Sequence, residues 1–419
     1  MLEIATAALK PEVTIQVPGS KSYTHRAFVA AALSAGPCVI ENPLFSRDTL
    51  YTLAALEDFG VACRRRGGQV EIRGGGRLEP ARDEICLGNS GTSMRLLTAV
   101  AALAKGPCVL TGNRRMCNRP IGPLLEALNR LGVAAESIED TGCPPVRIGG
   151  GLKSGGRVSV DCSVSSQFLS ALLLIAPCLE GETLIEVDRG PVSRPYIDLT
   201  VDLMKEFGVP VRRRGYAWFK VAGPRQYRPG TYRVPPDASQ AGYFWAAAAV
   251  AGTRVKVAGT GGVRAQGDIR LADLLARMGC RKEVEDDGIL IEGGSLAAIE
   301  ADMGDMPDMV PTLAVVAAFA GGTTRLLNVG HLKAKESDRL AAVTGNLARM
   351  GIKTRSDGSS LEITGGRPRP AVIDTCDDHR IAMSFAVAGL KVPGIKIAGE
   401  DCVSKSFPDF WKVLGELYQ

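Results

Sequence analysis

The sequence predicts a two-domain α/β protein in which each domain contains three copies of one unit of about 70 residues. Three observations lead to this prediction: the length of the chain, a recurring type of helix end, and a second helix type that recurs with the same interval. A chain of 419 residues with 45% hydrophobic content exceeds what one core usually fills, so two domains of roughly 200 residues are expected.

The helix ends supply the clearest repeat. The pentapeptide LARMG occurs at 275–279 and at 347–351, and each copy closes an amphipathic helical pattern at glycine. Glycine is the residue that best tolerates the left-handed conformation at a helix C-terminus. Other predicted helices end in the same way, which gives the series Gly60, Gly132, Gly208, Gly279, Gly351 and Gly415, with intervals of 72, 76, 71, 72 and 64. These intervals indicate an internal repeat.

A second predicted helix in each unit consists of small and apolar residues, as in THRAFVAAALSAG. Each follows a polar loop, and these loops carry Ser22, Thr92, Ser165, Asp237, Asp308 and Asp378, at intervals of 70, 73, 72, 71 and 70. Six units could form an open solenoid, but neither end of the sequence has the polar capping unit that a solenoid needs. We therefore predict two domains of three units, with the crossover in the YRVPPDAS stretch.

Composition and charge exclude several classes of protein. The net charge of +5 is small, and Lys and Arg alternate with Asp and Glu, which argues against a nucleic-acid partner and leaves anionic small molecules open. The eleven cysteines show no metal-ligand spacing and are typical of reduced thiols in a cytoplasmic protein. The sequence has neither a signal peptide pattern nor an apolar run of 18 residues, so we expect no membrane span.

The loops before the small, apolar helices divide into two chemical groups. The first three, PGSKSYTHR, LGNSGTSMR and SVSSQ, offer hydroxyls, glycine backbone, an amide and cations, which suit phosphate at a helix N-terminus. The last three, PPDAS, MPDMV and CDDHR, each carry a carboxylate. One domain is therefore predicted to hold anions and the other to supply acid or base groups, although each residue taken alone is also an ordinary helix cap.

A second set of loops concentrates cations. The members of this set are Arg114, Arg115, Arg119, Ser193, Arg194, Tyr196, Lys333, Lys335, Glu336, Asp338, Arg339 and Lys405. Runs of charge are often solvated surface, and Lys335 with Arg339 has the spacing of a common surface pair on a helix. The three histidines, His25, His331 and His379, all lie in polar loops, where a structural hydrogen-bonding role is equally open.

Nine motifs resemble, in order and over nearly the whole chain, the 5-enolpyruvylshikimate-3-phosphate synthase family. They are PGSKSYTHR, LGNSGTSMR, RMCNRPIG, SSQFLSALL, SRPYID, MPDM, KAKESDR, DDHR and SKSFPD. The resemblance implies an inside-out α/β barrel of two domains, each built from three βαβαββ units, with a cleft between them. It implies a first domain at 22–234, on the shikimate 3-phosphate side, and a discontinuous second domain formed by 1–20 and 236–419.

The resemblance also implies an enzymatic reaction, the transfer of the enolpyruvyl (1-carboxyvinyl) group of phosphoenolpyruvate to the 5-hydroxyl of shikimate 3-phosphate. Phosphate is released, and the product leads through the shikimate pathway to chorismate and aromatic amino acids. No metal and no organic cofactor are implied. The implied partners are the two small-molecule substrates, without nucleic acid or membrane, and the implied protein is a cytoplasmic monomer.

Residue roles follow from the matching motifs. Asp308 is the implied proton acceptor and Glu336 the implied proton donor, with Lys335 close to the reacting hydroxyl. The residues implied to bind shikimate 3-phosphate are Lys21, Ser22, Arg26, Ser165, Ser166, Gln167, Ser193, Tyr196, Asp308 and Lys335. Those implied to bind phosphoenolpyruvate are Lys21, Gly91, Thr92, Arg119, Gln167, Arg339, Arg380 and Lys405. Forked guanidinium groups suit the carboxylate of that substrate.

The sequence departs from the family pattern at two positions. His331 stands where some members have an asparagine that contacts the sugar-like ring, so we leave it out of the predicted site. Leu96 replaces a proline found in some members behind the phosphoenolpyruvate loop, whereas Gly91 is retained. Because glyphosate occupies the phosphoenolpyruvate site in this family, we expect it to inhibit this protein.

Three alternatives stay open at this stage. The enolpyruvyltransferase that acts on UDP-N-acetylglucosamine usually carries a cysteine where Arg114 stands here, which disfavours it. RNA 3'-terminal phosphate cyclases contain similar units, but the modest net charge does not support an RNA-binding face. A non-catalytic anion-binding module of the same fold is disfavoured by the presence of both Asp308 and Glu336.

Overall fold

The computed structural model describes residues 1–263 and 265–419. The chain divides into two compact units, which we call the internal unit (Gly19–Pro235) and the discontinuous unit (Met1–Pro18 with Pro236–Gln419). Each unit contains both strands and helices, which confirms the predicted mixed α/β class. Each unit also has a hydrophobic core of its own.

Two kinds of helix alternate along the chain. The α-helices are α1 (Lys21–Ala32), α2 (Arg47–Asp58), α3 (Gly91–Leu103), α4 (Gly122–Arg130), α5 (Gln167–Ile175), α6 (Pro195–Glu206), α7 (Ala238–Ala251), α8 (Leu271–Arg277), α9 (Val310–Ala317), α10 (Arg339–Arg349), α11 (His379–Gly389) and α12 (Phe410–Gly415). Odd-numbered helices are buried almost throughout because their residues are small and apolar, whereas even-numbered helices are amphipathic and bury one face. Short 3-10 helices lie at Met116–Asn118, Ala176–Cys178, Gly267–Arg270, Pro307–Met309, Gly330–Ala334 and Glu400–Lys405.

The strands are short and lie between the helices. They are β1 (Leu2–Glu3), β2 (Glu12–Ile15), β3 (Pro37–Glu41), β4 (Ala62–Arg66), β5 (Gln69–Arg73), β6 (Glu84–Cys86), β7 (Cys108–Thr111), β8 (Ala135–Ser137), β9 (Val146–Ile148), β10 (Arg157–Asp161), β11 (Glu182–Arg189), β12 (Arg212–Arg214), β13 (Trp218–Ala222), β14 (Gly230–Arg233), β15 (Arg254–Ala258), β16 (Arg281–Glu285), β17 (Gly288–Glu292), β18 (Glu300–Asp302), β19 (Thr323–Leu327), β20 (Lys353–Ser356), β21 (Leu361–Thr364), β22 (Val372–Asp374) and β23 (Lys396–Ala398).

The sheets repeat one strand order. In the internal unit the orders are β14-β3-β5-β4, β6-β7-β9-β8 and β10-β11-β13-β12, and the first pair of each sheet is parallel while the others are antiparallel. The discontinuous unit repeats this order in β2-β15-β17-β16 and β18-β19-β21-β20, and its third sheet is β22-β23-β1. The parallel pairing of β2 with β15 joins the start of the chain to the fourth repeat.

The six predicted helices end at or within two residues of their glycines, and five of the six glycines have the expected left-handed conformation. Gly60, Gly132, Gly208, Gly279 and Gly351 all have positive φ, between 78° and 108°. In each case the chain then turns into an outer antiparallel strand, a reversal that glycine permits. Helix α12 also ends at Gly415, as predicted, but Gly415 is the last residue of the helix and is followed by Glu416 in a right-handed conformation, so the expected left-handed turn is not formed there. After α12 the chain forms an isolated bridge between Tyr418 and Leu9 rather than an outer strand.

The hydropathy of the helices bears on membrane association. Among residues 1–263 and 265–419, no helix is both long enough and apolar enough to cross a bilayer. The most apolar helices are instead the central, buried ones of each unit. Their N-termini carry the residues that the sequence singled out.

Candidate active site

In the internal unit, the first turn of α1 carries two of the predicted substrate residues. The N-cap of α1 is Ser20, so Lys21 and Ser22 lie inside the helix rather than in the preceding loop. Lys21 is 8% exposed, and its Nζ lies 3.4 Å from Oδ2 of Asp48 on α2. The buried lysine is therefore already next to one carboxylate.

Arg26 lies one turn further along α1 and is 1% exposed. Its Nε donates to Oγ1 of Thr200 at 2.7 Å, and its Nη2 donates to Oγ of Ser170 at 3.2 Å. Arg26 also donates to the carbonyl oxygens of Ser22 and Tyr196, at 2.9 and 3.3 Å. Burial lowers the pKa of Arg26 to about 10, because these acceptors are neutral and do not stabilise the charge as a carboxylate would.

The N-terminus of α3 contains the predicted phosphoenolpyruvate loop. Thr92 Oγ1 accepts a hydrogen bond from Nε2 of Gln167 at 3.1 Å, which joins α3 to α5. Arg95 donates to Oε1 of Gln167 at 3.1 Å and to the carbonyl of Gly91 at 3.2 Å. A Cβ atom at Gly91 would lie 2.5 Å from Nη2 of Arg119 and 2.5 Å from Nη1 of Arg95, so glycine lets both guanidinium groups approach the helix N-terminus.

Three further predicted residues of the internal unit are serines with hydroxyl groups. Ser165 Oγ accepts from the backbone N–H of Gln167 at 3.2 Å, and Ser166 occupies the N-cap position of α5. Ser193 has a left-handed backbone, with φ of 56°, and within the described residues its buried Oγ has no hydrogen-bond partner. An unsatisfied buried hydroxyl costs about 1 to 3 kcal/mol, so a ligand oxygen that accepts or donates there would be stabilising.

In the discontinuous unit, Asp308 is held by two arginines. It lies in the 3-10 helix before α9, and its Oδ1 accepts from Nη1 of Arg339 at 2.7 Å while its Oδ2 accepts from Nη2 of Arg380 at 2.6 Å. Arg339 also donates through Nη2 to Oε2 of Glu336 at 2.6 Å and through Nε to Oδ2 of Asp378 at 2.8 Å. The predicted proton acceptor and proton donor are thus bound to neighbouring nitrogens of one guanidinium group.

These contacts shift the pKa values of both partners. Burial alone would raise the pKa of Asp308, but the charges of Arg380, Arg339 and Lys335 outweigh burial and hold it well below its ordinary value. Burial would lower the pKa of Arg339, but Asp378, Glu336 and Asp308 raise it well above its ordinary value. Asp308 is therefore a carboxylate, and Arg339 a cation, throughout the neutral range.

The three loop carboxylates of this unit have different roles. Asp237 is the N-cap of α7 and accepts from the backbone N–H of Ser239 at 2.8 Å. Asp378 is the N-cap of α11 and accepts from the backbone N–H of Arg380 at 3.0 Å. The capping interpretation thus describes Asp237 and part of the role of Asp378, whereas Asp308 accepts from two arginine side chains.

The remaining predicted cations of this unit lie at the ends of 3-10 helices. Lys335 follows Gly330–Ala334, and Lys405 ends Glu400–Lys405 and is 6% exposed. Burial, followed by the charge of Lys335, lowers the pKa of His331 to about 3, so this imidazole is neutral at physiological pH.

Sequence reasoning missed two buried groups. Arg95, although inside the quoted motif LGNSGTSMR, was not predicted to take part, and it bridges α3 to Gln167. Asp268 accepts a short hydrogen bond from Oγ of Ser239, and burial together with the charge of Asp308 raises its pKa to about 6. A lone aspartate in a run such as QGDIR gave no signal of burial, whereas Arg95 could have been found from its position one turn after Gly91.

Comparison with known proteins identifies the family. A family model described as EPSP synthase (3-phosphoshikimate 1-carboxyvinyltransferase) matches residues 5–414. The chain belongs to the EPSP synthase family. It is similar to the 3-phosphoshikimate 1-carboxyvinyltransferases of Methanoculleus marisnigri, with 44% identity over 406 residues, and of Pectobacterium carotovorum subsp. carotovorum, with 44% identity over 411 residues. Each alignment covers 96% of this chain and 96% of the relative.

Solved structures support the same family. EPSP synthase from Acinetobacter baumannii matches with a TM-score of 0.81 and 29% identity over 99% of this chain and 97% of that one. The enolpyruvyl transferase NikO from Streptomyces tendae matches with a TM-score of 0.77 at 21% identity, over 99% of this chain and 96% of that one, which shows the fold alone. The predicted family, fold and enzyme class are confirmed, and transfer to UDP-N-acetylglucosamine is not favoured.

Proposed function

We propose that Asp308 and Glu336 carry out the proton transfers by which this enzyme moves the enolpyruvyl group of phosphoenolpyruvate to the 5-hydroxyl of shikimate 3-phosphate. The observation that carries the proposal is the shared guanidinium of Arg339, which binds Asp308 through Nη1 and Glu336 through Nη2. Both carboxylates are largely buried, with side chains 19% and 10% exposed. A base and an acid held side by side suit an addition that removes one proton and delivers another.

In the addition step, the carboxylate of Asp308 takes the proton of the 5-hydroxyl, and that oxygen bonds to C2 of phosphoenolpyruvate. The former double-bond electrons take a proton from the protonated carboxyl of Glu336 at C3, which becomes a methyl group. In the elimination step the C2–O bond to phosphate breaks, and a methyl proton returns to Glu336. The double bond is thereby restored, and phosphate leaves with the proton that Asp308 took from the hydroxyl, so both carboxyl groups return to their starting states.

The arginines of this cluster are proposed to bind the carboxylate of phosphoenolpyruvate. Arg339 and Arg380 now bind both oxygens of Asp308, so an incoming substrate carboxylate would compete with Asp308 for the same guanidinium groups. Each contact that Asp308 gives up removes a cause of its lowered pKa, so the carboxylate becomes a stronger base. Substrate binding would thus activate the base.

The internal unit is proposed to hold the phosphate groups. Arg26 and the unsatisfied hydroxyl of Ser193 support a role in binding shikimate 3-phosphate, together with Ser22, Ser165, Ser166 and Tyr196. Gly91 and Thr92 at the start of α3, with the guanidinium of Arg119 next to them, support phosphoenolpyruvate binding, because backbone N–H groups and a cation converge there. Lys21 and Gln167 are proposed to contact both substrates, and Lys405 to contact phosphoenolpyruvate.

The test is phosphate release from purified protein supplied with phosphoenolpyruvate and shikimate 3-phosphate, with each omitted in turn. Asp308→Ala should lower kcat by at least about a hundredfold, the scale of a lost general base. Asp302→Ala is the matched control, because Asp302 is an exposed aspartate that accepts from Nδ2 of Asn328 and from the backbone N–H of Gly304, and not from an arginine. Equal effects of the two substitutions would reject Asp308 as the base, and release with UDP-N-acetylglucosamine instead would reject the acceptor.

Glu336 and Lys335 can be distinguished as the proton donor by solvent deuterium. Protonation of C3 followed by its reversal exchanges the methylene hydrogens of phosphoenolpyruvate with solvent. Glu336→Gln should abolish this exchange, whereas Lys335→Met should slow turnover and leave the ratio of exchange to turnover within about threefold of the native enzyme, because the donor is retained. The opposite result would assign the proton to Lys335.

Glyphosate is proposed to compete with phosphoenolpyruvate. The retained Gly91 supports this, since a Cβ there would displace Arg95 and Arg119. Inhibition that phosphoenolpyruvate does not relieve, or no inhibition at millimolar glyphosate, would contradict it.

We also infer a cytoplasmic monomer. Eleven free cysteines, five of them buried, support a reducing compartment. Light scattering should give a mass near the 44.2 kDa of one chain.

A further inference from the structure

A chain of buried hydrogen bonds joins three helices of the internal unit. Nδ1 of His25 on α1 lies 2.7 Å from Oγ1 of Thr52 on α2, and that oxygen lies 2.8 Å from Oγ of Ser93 on α3. Oγ of Ser93 in turn lies 2.6 Å from Oγ of Ser90. All four side chains are 0% exposed, so these bonds do not compete with water.

The donor and acceptor of each bond can be assigned, and the hydroxyls of Thr52 and Ser90 both donate to Oγ of Ser93. Ser93 has a single hydroxyl proton, and its Oγ donates to the carbonyl of Asp48 at 3.1 Å. Thr52 must therefore donate to Ser93, and Nδ1 of His25 must donate to Thr52. Each hydroxyl in the path then both accepts and donates. Removing one of them would leave the next group buried without its bond.

The path connects the two helix N-termini that face the proposed substrates of this unit. Ser90 is the N-cap of α3 and directly precedes Gly91. His25 lies one turn after Lys21 on α1, and Asp48, which accepts from Ser93, also pairs with Lys21. The position of the α3 N-terminus is thus coupled to α1 and α2 through side chains that are too deep to contact a substrate.

We propose that Thr52 and Ser93 are positioning residues that set the affinity for phosphoenolpyruvate by fixing the N-terminus of α3. The inference rests on the proposed assignment of Gly91 and Thr92 to that substrate. The space around Gly91 is tight, because an added Cβ would lie 2.5 Å from both Arg95 and Arg119. Because Arg119 lies outside α3, a small shift of this helix changes the approach of its guanidinium group to the loop. Shikimate 3-phosphate should be little affected, since Arg26 is held separately by Thr200 and Ser170.

The test uses Thr52→Val, which keeps the shape of the side chain and removes its hydroxyl. We expect KM for phosphoenolpyruvate to rise roughly tenfold, the effect of a small misplacement in a binding site, with KM for shikimate 3-phosphate within about twofold. Ser93→Ala should act in the same direction, and Thr52→Ser should restore the native KM. Thr98→Val is the matched control, because the buried Oγ1 of Thr98 on α3 donates to Met94 of its own helix at 2.8 Å.

Gly91→Ala separates the failure of this proposal from the failure of the site assignment. If Gly91→Ala raises KM for phosphoenolpyruvate and Thr52→Val does not, the positioning role is rejected and the assignment stands. If Gly91→Ala leaves this KM unchanged, both are rejected. A parallel rise of both KM values with a lower melting temperature in Thr52→Val, or no rescue by Thr52→Ser, would show general loss of packing and would also overturn the positioning role.

Discussion

Arg26 in the internal unit and Arg339 in the discontinuous unit are buried to the same degree, each 1% exposed, yet their pKa values shift in opposite directions. Burial lowers the pKa of Arg26 to about 10. Burial acts on Arg339 in the same sense, but three carboxylates raise its pKa well above the ordinary value. The comparison shows that the partners, and not the depth of burial, decide how much charge a buried cation can offer to a ligand.

The two arginines should therefore bind an anionic ligand in different ways. Arg26 is surrounded by hydroxyl and carbonyl groups, so a phosphate dianion would stabilise its charge without displacing a carboxylate. Arg339 already balances Asp308, Glu336 and Asp378, so an anionic ligand has to exchange places with one of them. Binding in the internal unit should be direct, and binding in the discontinuous unit should be competitive with the carboxylates that Arg339 already binds.

The largest expected difference is in stability. Arg339→Met leaves three buried carboxylates without their shared cation and should lower the free energy of unfolding by about 3 to 5 kcal/mol. Arg26→Met removes a buried charge whose bonds go to hydroxyl and carbonyl oxygens, and its loss should cost only about 1 to 2 kcal/mol, from carbonyl groups left without a donor. Urea unfolding of both variants measures the difference.

Arg349→Met on α10 is the matched control for this measurement. Arg349 is an exposed member of the same helix, 3.8 Å from Asp374, and its removal should change the free energy of unfolding by less than about 1 kcal/mol. Equal losses of unfolding free energy in Arg26→Met and Arg339→Met would contradict the comparison, because the depth of burial rather than the hydrogen-bond partners would then determine the loss.

The repeat and the helix ends could be predicted from the sequence, because both depend on the local chemistry of a few neighbouring residues. Gly60, Gly132 and Gly208 end their helices as predicted, since a left-handed residue is needed before each outer strand. Gly415 ends its helix without the left-handed conformation, because the need for a reversal depends on what the next segment pairs with, and α12 is followed by a bridge between Tyr418 and Leu9. The residues at a helix end determine where the helix stops, whereas the pairing of the next segment depends on residues far away in the chain.

The site residues were suggested by motifs, but their pairing was not. Nothing in MPDM, KAKESDR or DDHR states that Asp308 would bind Arg339 and Arg380, residues 31 and 72 positions away. Asp268 was missed for the same reason, since its burial against Ser239 arises from packing between separate helices. Sequence indicates which groups are present, and tertiary packing decides which of them share a charge.

The next expected effect is on the pH dependence of stability, in which two buried carboxyl groups of the discontinuous unit should differ. The folded pKa of Asp308 lies below its ordinary value near 3.8, so its contribution to stability is complete above about pH 4 and is lost as the pH falls further. The folded pKa of Asp268 is raised to about 6, so its contribution is present below about pH 4 and is lost as the pH rises to 6.

Urea midpoints measured from pH 3 to pH 8 test this pair. Asp308→Asn should flatten the loss of stability below pH 4, and Asp268→Asn should flatten the loss between pH 4 and pH 6. Identical pH profiles for the two variants would contradict the assignment of opposite shifts. The opposite pKa shifts of Arg26 and Arg339 would then need another explanation, because they are attributed to the same balance between burial and neighbouring charge.

The smallest expected effect is on substrate binding. It tests directly whether Asp308 and the substrate carboxylate compete for the same arginines. Asp308→Asn removes the anion that now binds Arg339 and Arg380, so phosphoenolpyruvate alone should bind roughly tenfold more tightly to the variant, a gain of about 1.4 kcal/mol. Calorimetry without shikimate 3-phosphate measures this Kd, and Asp302→Asn, an exposed change in β18, should leave it unaltered. An unchanged or larger Kd in Asp308→Asn would mean that the substrate carboxylate binds elsewhere. A variant that binds more tightly while it no longer turns over would show that base and substrate share the same cations, so that binding of the substrate itself strengthens the base.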